Sequence, residues 1–197
     1  MKLYLVSNGR TMLDNQGLLS GQNSAILSSI GMLEVFQLKN RLKDISFSQI
    51  YVSPQKSALE TAKVLKRKDQ DYLIVDNLKN IDFAEFEGEN IDAIINDSKH
   101  PIHDLFAKPQ SFEIEGGENF KDLQNRCLNF YQNQIYDKRH SNENIMVVTH
   151  SIWIKNFICA LFNFNENYIW LIQKSEGCNA YLFEYENDQL ILKGLQL

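Results

Sequence analysis

Apolar residues along this chain come in two rhythms. Short, nearly unbroken runs at Leu3–Val6, Gln49–Val52, Tyr72–Val75 and Ile145–Thr149 are rich in aliphatic and β-branched side chains, as expected of strands buried on both faces. Between them apolar positions recur every three or four residues, the period of a helix with one face on a core. Val35, Leu38 and Leu42 keep that spacing between the first two runs. Ala58, Ala62 and Leu65 keep it after the second, where Ser53-Pro54 supplies an N-cap and a proline at the first helical position. Glu118–Lys138 is the longest amphipathic segment, with Phe120, Leu123, Cys127, Phe130, Tyr131 and Ile135 on one face. A last helix starts near Ser151 and buries Ile154, Phe157, Ile158 and Leu161. Ala180–Tyr185 and Gln189–Leu195 then read as a hairpin turning at Asn187-Asp188. Strand and helix alternate, so the class is α/β: three layers, α/β/α, about a central mostly parallel sheet with right-handed crossovers.

Composition narrows the function classes. A chain of 197 residues, 44% apolar and 23% charged, fits one domain (residues 1–197) with a full core, and no repeat or linker interrupts it. The formal charge of −5 argues against non-specific binding to nucleic acid or to an anionic membrane, both of which rely on basic patches. Lys66-Arg67-Lys68 is a short run and reads as a solvated helix end. Cys127, Cys159 and Cys178 are odd in number and widely spaced, without a metal-ligand pattern. Such thiols point to a reducing compartment, and Leu3–Val6 is far shorter than a signal-peptide core or a membrane span. The expected location is the cytoplasm, with neither metal nor cofactor. His100, His103 and His140 stand in polar segments and are expected at the surface.

In a sheet of this kind ligands gather at the carboxyl ends of the strands. Four segments lie there: Ser7–Thr11, Ser53–Ala62, Asn80–Gly88 and Thr149-His150-Ser151. Each resembles a piece of one family, the histidine phosphatase superfamily, which includes cofactor-dependent phosphoglycerate mutases and many small phosphatases. Ser7-Asn8-Gly9-Arg10-Thr11 is similar to its Arg-His-Gly-Glu-Thr signature and keeps the Gly and the Thr. Gly17 and Gly21 fall on family glycines, with Asp14 and Ser20 in place of the usual Asn and Gln, and Leu27-Ser28-Ser29-Ile30-Gly31 resembles Leu-Thr-x-x-Gly at a helix entrance. Ser53-Pro54 through Ala62 resembles Ser-Pro-x-x-Arg-Ala-x-x-Thr-Ala, with Ser57 at the arginine. Leu78–Gly88 keeps Phe83, Glu87 and Gly88 of the third block and has Asn80 at its glutamate. Gly117-Glu118, Arg126 and Val147-Val148-Thr149-His150 complete the series. Five blocks in order, running almost end to end, imply a phosphoglycerate mutase-like fold with an inserted lid-like segment at about 80–118.

The family's chemistry needs an imidazole that attacks the phosphoryl group in line and forms a phosphohistidine. The resemblance puts Asn8 at that nucleophile position, and a carboxamide nitrogen has no free lone pair to attack with. Ser7 and Ser57 occupy the positions of two phosphate-clamping arginines, whose charge-assisted contacts are worth roughly 1.5–3 kcal/mol each. Asn80 occupies the position of the acid and has no titratable proton near neutral pH. His150 alone survives. The implied protein is a pseudophosphatase that binds a ligand, a small phosphorylated metabolite or a weak anion, through Ser7, Gly9, Arg10, Ser57, Ser151 and His150, its protein partners being unknown. Two alternatives stay open: a divergent phosphomonoesterase or phosphomutase using His150, and a purely structural or protein-interaction module. An active enzyme would draw on Asp82 or Glu85 as acid, Arg10 or Lys56 as anchor, or His150 as attacking group. Gly9, Gly17, Gly21 and Gly31 also have a backbone reading, and His150 has one as a helix cap or a buried hydrogen-bonding group.

Overall fold

The computed structural model describes residues 1–23, 25–172 and 177–195. In chain order it runs β1 (Lys2–Ser7), α1 (Met12–Asn15), α2 (Ser29–Arg41), β2 (Gln49–Val52), α3 (Lys56–Leu65) and β3 (Leu73–Ile74), then α4 (Ile91–Asn96), α5 (Asp104–Ala107) and α6 (Phe120–Phe130). β4 (Asn144–Thr149), α7 (Ser151–Phe162), β5 (Ala180–Glu186) and β6 (Gln189–Leu195) complete it. The strands form one sheet in the order β3-β2-β4-β1-β5-β6. β1 pairs in parallel with β4, β4 with β2, and β2 with β3, while β5 runs antiparallel to both β1 and β6. The sheet is therefore mixed, with its parallel part in the first four strands.

Alternation along the strands builds the two outer layers, because successive side chains point to opposite faces. Leu3 and Leu5 of β1, with Tyr51, Ile145 and Val147, face a core filled by Leu123, Cys127 and Phe130 of α6 and Trp153, Ile154 and Phe157 of α7. Tyr4, Val6, Ile50, Val52, Met146 and Val148 face the other way, onto Val35 and Leu38 of α2 and Ala58 and Ala62 of α3. The 80–118 segment is built into the first of these cores, with Phe83, Ile94, Ile102, Leu105 and Phe112 buried there. Among the described residues no helix is long and apolar enough to cross a membrane.

Three elements depart from the sequence reading. The third strand is only two residues long and exposed, because it lies at the sheet edge with a neighbour on one side. Helix α3 begins at Lys56, with Gln55 at its N-cap and no side-chain cap; Ser53 lies too far back, and its hydroxyl stands against His150 instead. The long amphipathic segment is α6 from Phe120, capped by Asn119, followed by a π-helical turn over Tyr131–Ile135 that keeps Tyr131 and Ile135 buried. The hairpin turns where expected, with Asn187 and Asp188 both at positive φ, as a two-residue turn between twisted strands requires. His100 and His103 are half-buried rather than at the surface: His100 Nε2 lies 2.8 Å from Glu89 Oε2 and His103 Nδ1 lies 3.0 Å from the Ile94 carbonyl.

Candidate functional site

A cleft of about 360 Å³ opens at the carboxyl ends of β1, β2 and β4. Ser7, Asn8, Arg10, Ser57, Asn80, His150 and Ser151 all line it, so tertiary structure brings together residues up to 144 positions apart. A larger concavity of about 500 Å³ lies around Phe47–Gln49 and Asp69–Leu73, at the amino ends of β2 and β3, away from every one of these groups.

The first loop is held by close backbone packing. Gly9 donates its N–H to Thr61 Oγ1 at 3.2 Å and is covered by α2, where a Cβ would lie 2.5 Å from the Gly31 carbonyl and 2.9 Å from Val35. Gly31 in turn meets the Arg10 backbone so closely that an added Cβ would overlap it. Ser28 caps α2, accepting from the Gly31 N–H at 3.0 Å, and its own hydroxyl donates to the Arg10 carbonyl at 3.1 Å. Gly9, expected to touch ligand, is thus not among the lining residues; its absent side chain serves the crossing of loop and helix. Thr11 and Asp14 close the loop in a reciprocal cap of α1, with Thr11 N–H and Oγ–H both donating to Asp14 Oδ2 at 2.7 and 2.8 Å.

Each polar group in the cleft has a defined neighbourhood. Ser7 is buried, and its hydroxyl accepts from the Asn179 N–H at 3.2 Å, next to the Gly177 carbonyl. Asn8 donates its backbone N–H to the Thr149 carbonyl at 2.9 Å and its amide to the Gly9 carbonyl at 2.8 Å. Arg10 turns to Glu34: Nε lies 2.9 Å from Oε1, and the backbone N–H donates to Oε2 at 3.1 Å. Asn80 is 7% exposed. Its backbone N–H donates to Gln55 Oε1 at 2.6 Å and its Nδ2 to the Ser20 carbonyl at 2.9 Å, while Oδ1 has no partner among the described residues.

His150 is 4% exposed, with Nε2 2.9 Å from Ser53 Oγ. It stands at the N-cap of α7 without capping it through its side chain. Burial, helped by the positive charge of Arg126, lowers its pKa to about 3, so the ring is neutral at pH 7. Arg126 itself is a strut: Nε and Nη2 pair with Glu118 at 2.8 and 2.6 Å, Nη1 donates to the carbonyls of Asn77 and Lys79, and Nη2 also reaches that of Asn80. The arrangement holds the loop that carries Asn80.

The alternative catalytic groups are placed elsewhere. Asp82 Oδ1 accepts from the Ala84 N–H at 2.8 Å, and neither Asp82, Glu85 nor Lys56 is among the residues lining the cleft. Among the described residues no group of three His, Cys, Asp or Glu is placed to hold a metal ion. Six lining residues escaped the sequence reading: Asn23, Ala25, Gln55, Ile91, Ile152 and Gly177. Gln55 is the most consequential, since its Nε2 donates to the Gly21 carbonyl at 2.8 Å while its Oε1 holds Asn80; nothing in its local sequence marks it.

Comparison with known proteins agrees with this fold. The family model described as histidine phosphatase superfamily (branch 1) matches residues 3–197. Phosphoserine phosphatase 1 of Hydrogenobacter thermophilus is 24% identical over 194 residues, covering 98% of this chain and 91% of that protein. The adenosylcobalamin/alpha-ribazole phosphatase of Escherichia coli is 25% identical over 190 residues, covering 90% of this chain and 87% of that one. Among solved structures, Bacillus stearothermophilus YhfR matches with a TM-score of 0.87 at 25% identity, over 97% of this chain and 94% of that one.

Proposed function

The chain belongs to the histidine phosphatase superfamily, and we propose that it is a non-catalytic member whose cleft binds a small ligand without turning it over. One observation supports this reading: Asn8, Ser7, Ser57 and Asn80, the residues that the resemblance puts at the nucleophile, clamp and acid positions, line a single cleft. Asn8 has no nucleophilic nitrogen, the two serines carry no charge, and Asn80 has no proton to give to a leaving group. Loss of a covalent nucleophile alone costs on the order of 10⁶ in turnover in a protease, and here clamp and acid are replaced as well. The substitutes are engaged elsewhere, Arg10 with Glu34 and Asp82 with the Ala84 N–H.

The test is direct. Purified protein should hydrolyse p-nitrophenyl phosphate and simple sugar phosphates no faster than its His150→Ala variant. Turnover that this substitution abolishes would overturn the proposal.

A second reading, a divergent phosphatase working through His150, draws on the phosphatase names of the relatives and on the presence of His150 at the cleft. A neutral imidazole has a lone pair to attack with, yet a pKa near 3 makes it a poor nucleophile. This reading requires a phosphoryl group trapped on His150 and seen by mass spectrometry.

A further inference from the structure

Helix α2 is apolar on two sides, and the fold covers one of them. Val35 and Leu38 lie against the sheet, while Ile30, Leu33 and Phe36 fall at helical spacing on the opposite side and are exposed, with Leu33 at the centre 64% exposed. A helix apolar all round is ordinarily buried all round. Ile26 and Met12, both exposed, lengthen the face beyond the N-terminus of α2, where the Met12 N–H donates to the Ile26 carbonyl. Elsewhere among the described residues exposed large apolar side chains stand singly or in smaller groups, as Leu73 and Ile74 do at the sheet edge.

The face is also free of charge. α2 carries Glu34, Lys39 and Arg41, and each is turned away from it: Glu34 pairs with Arg10, Lys39 Nζ donates to the Val64 carbonyl near the end of α3, and Arg41 Nη2 donates to the Cys178 carbonyl. Around the apolar centre stand Ser29, Gln37 and Asn40, exposed and uncharged. Each of the five apolar side chains leaves on the order of 100 Å² accessible, so the face presents roughly 500 Å² of apolar surface, towards the upper end for a monomer. With its polar rim it approaches the roughly 800 Å² per partner of a stable interface. An apolar centre inside a polar rim is the anatomy of such an interface.

We propose that this face of α2 is the contact between two copies of the chain, related by a two-fold axis that passes close to Leu33. A two-fold contact sets each surface against itself, so it needs a face without charge of one sign, and this face meets the need. A partner recognised by its charge has nothing here to pair with. The formal charge of −5 on each chain does not prevent the contact, because charges away from it are screened within about 8 Å at physiological ionic strength. The two copies of α2 cross, and Ile30, Leu33 and Phe36 are buried against the same residues of the second copy. The assignment is independent of what the cleft does.

Sedimentation velocity of the full chain measures it. At roughly 10 µM and above the protein should sediment with twice the mass of one chain. Leu33→Glu, which sets two carboxylates against each other near the axis, should raise the dimer dissociation constant about a hundredfold or more. Ile74→Glu and Leu171→Glu, at exposed apolar positions elsewhere, should leave the mass at two chains. Should Leu33→Glu fold poorly, Leu33→Cys and Phe36→Cys give a second reading: mild oxidation should link two copies through at least one of them, the native Cys127, Cys159 and Cys178 being buried. No link through either overturns the proposal. A single-chain mass at every concentration up to roughly 100 µM overturns it as well, and so does a dimer that Ile74→Glu or Leu171→Glu dissociates while Leu33→Glu does not. Partition of single chains onto phosphatidylcholine vesicles overturns it in favour of a lipid surface.

Discussion

His150 Nε2 lies 2.9 Å from Ser53 Oγ, joining the carboxyl ends of β4 and β2 through a buried imidazole and a buried hydroxyl. Ser53 lies too far ahead of α3 to cap it, and His150 stands at the head of α7 without capping it through its side chain; the two side chains meet each other instead.

The burial of that imidazole predicts a pH dependence. His150 falls from an ordinary value of 6.5 to about 3 on folding. Between those limits the unfolded chain binds a proton that the folded chain does not, so stability is full above about 6.5 and declines as pH falls towards 3. The contribution is on the order of a few kcal/mol. His150→Gln should flatten this part of the profile, and urea unfolding of both proteins at pH 7 and pH 4 measures it. The difference between the two proteins is the quantity to read, because Glu87, whose carboxyl is raised by burial, pulls the other way. An unchanged difference across that range would remove His150 as the source.

Gly31 and Gly17 should respond very differently to alanine. Gly31→Ala drives a methyl group into the Arg10 backbone, which should cost about 3 kcal/mol or more. Gly17 has φ +67° with nothing within 4 Å of an added Cβ, so Gly17→Ala should cost about 1–2 kcal/mol, for the left-handed backbone alone. Thermal unfolding separates them, at roughly 2–4 °C per kcal/mol for a chain of this size.

Arg126→Ala should destabilise the protein by about 2–4 kcal/mol, since it strands the mostly buried Glu118 carboxylate and frees the carbonyls of Asn77, Lys79 and Asn80. Arg126→Lys should recover less than half of that, because an ammonium cannot pair in fork geometry and reach three carbonyls together. Equilibrium denaturation measures both.

Returning the family's groups tests the scaffold. Asn8→His alone should yield no measurable phosphatase turnover, while Asn8→His combined with Ser7→Arg, Ser57→Arg and Asn80→Glu should yield some, because nucleophile, clamp and acid act as a unit. Hydrolysis of p-nitrophenyl phosphate is the readout. A quadruple variant that folds and stays inert would mean that the backbone has moved as well as the side chains.

The strands at Leu3–Val6, Gln49–Val52 and Ile145–Thr149 were legible because a strand buried on both faces needs an apolar run, and that requirement is local. The turn at Asn187-Asp188 was legible for a local reason too, since positive φ restricts the residue at its own position, whereas the helix entrance at Ser28 was read from the family resemblance. The positions of Ser7, Asn8, Ser57 and Asn80 in one cleft followed from motif order, since strand ends in a parallel sheet converge.

What the sequence by itself determined, then, is the layered α/β fold and the set of residues that meet at the strand ends. Partnership was beyond it. Only the tertiary structure decided that Arg10 belongs to Glu34, that Gln55 holds Asn80, that Gly9 serves a helix crossing, and that His150 is neutral against Ser53. Periodicity and capping act between near neighbours in the chain. Charge pairing, desolvation and an orphaned acceptor depend on groups from distant segments that only packing brings within a few ångströms of each other.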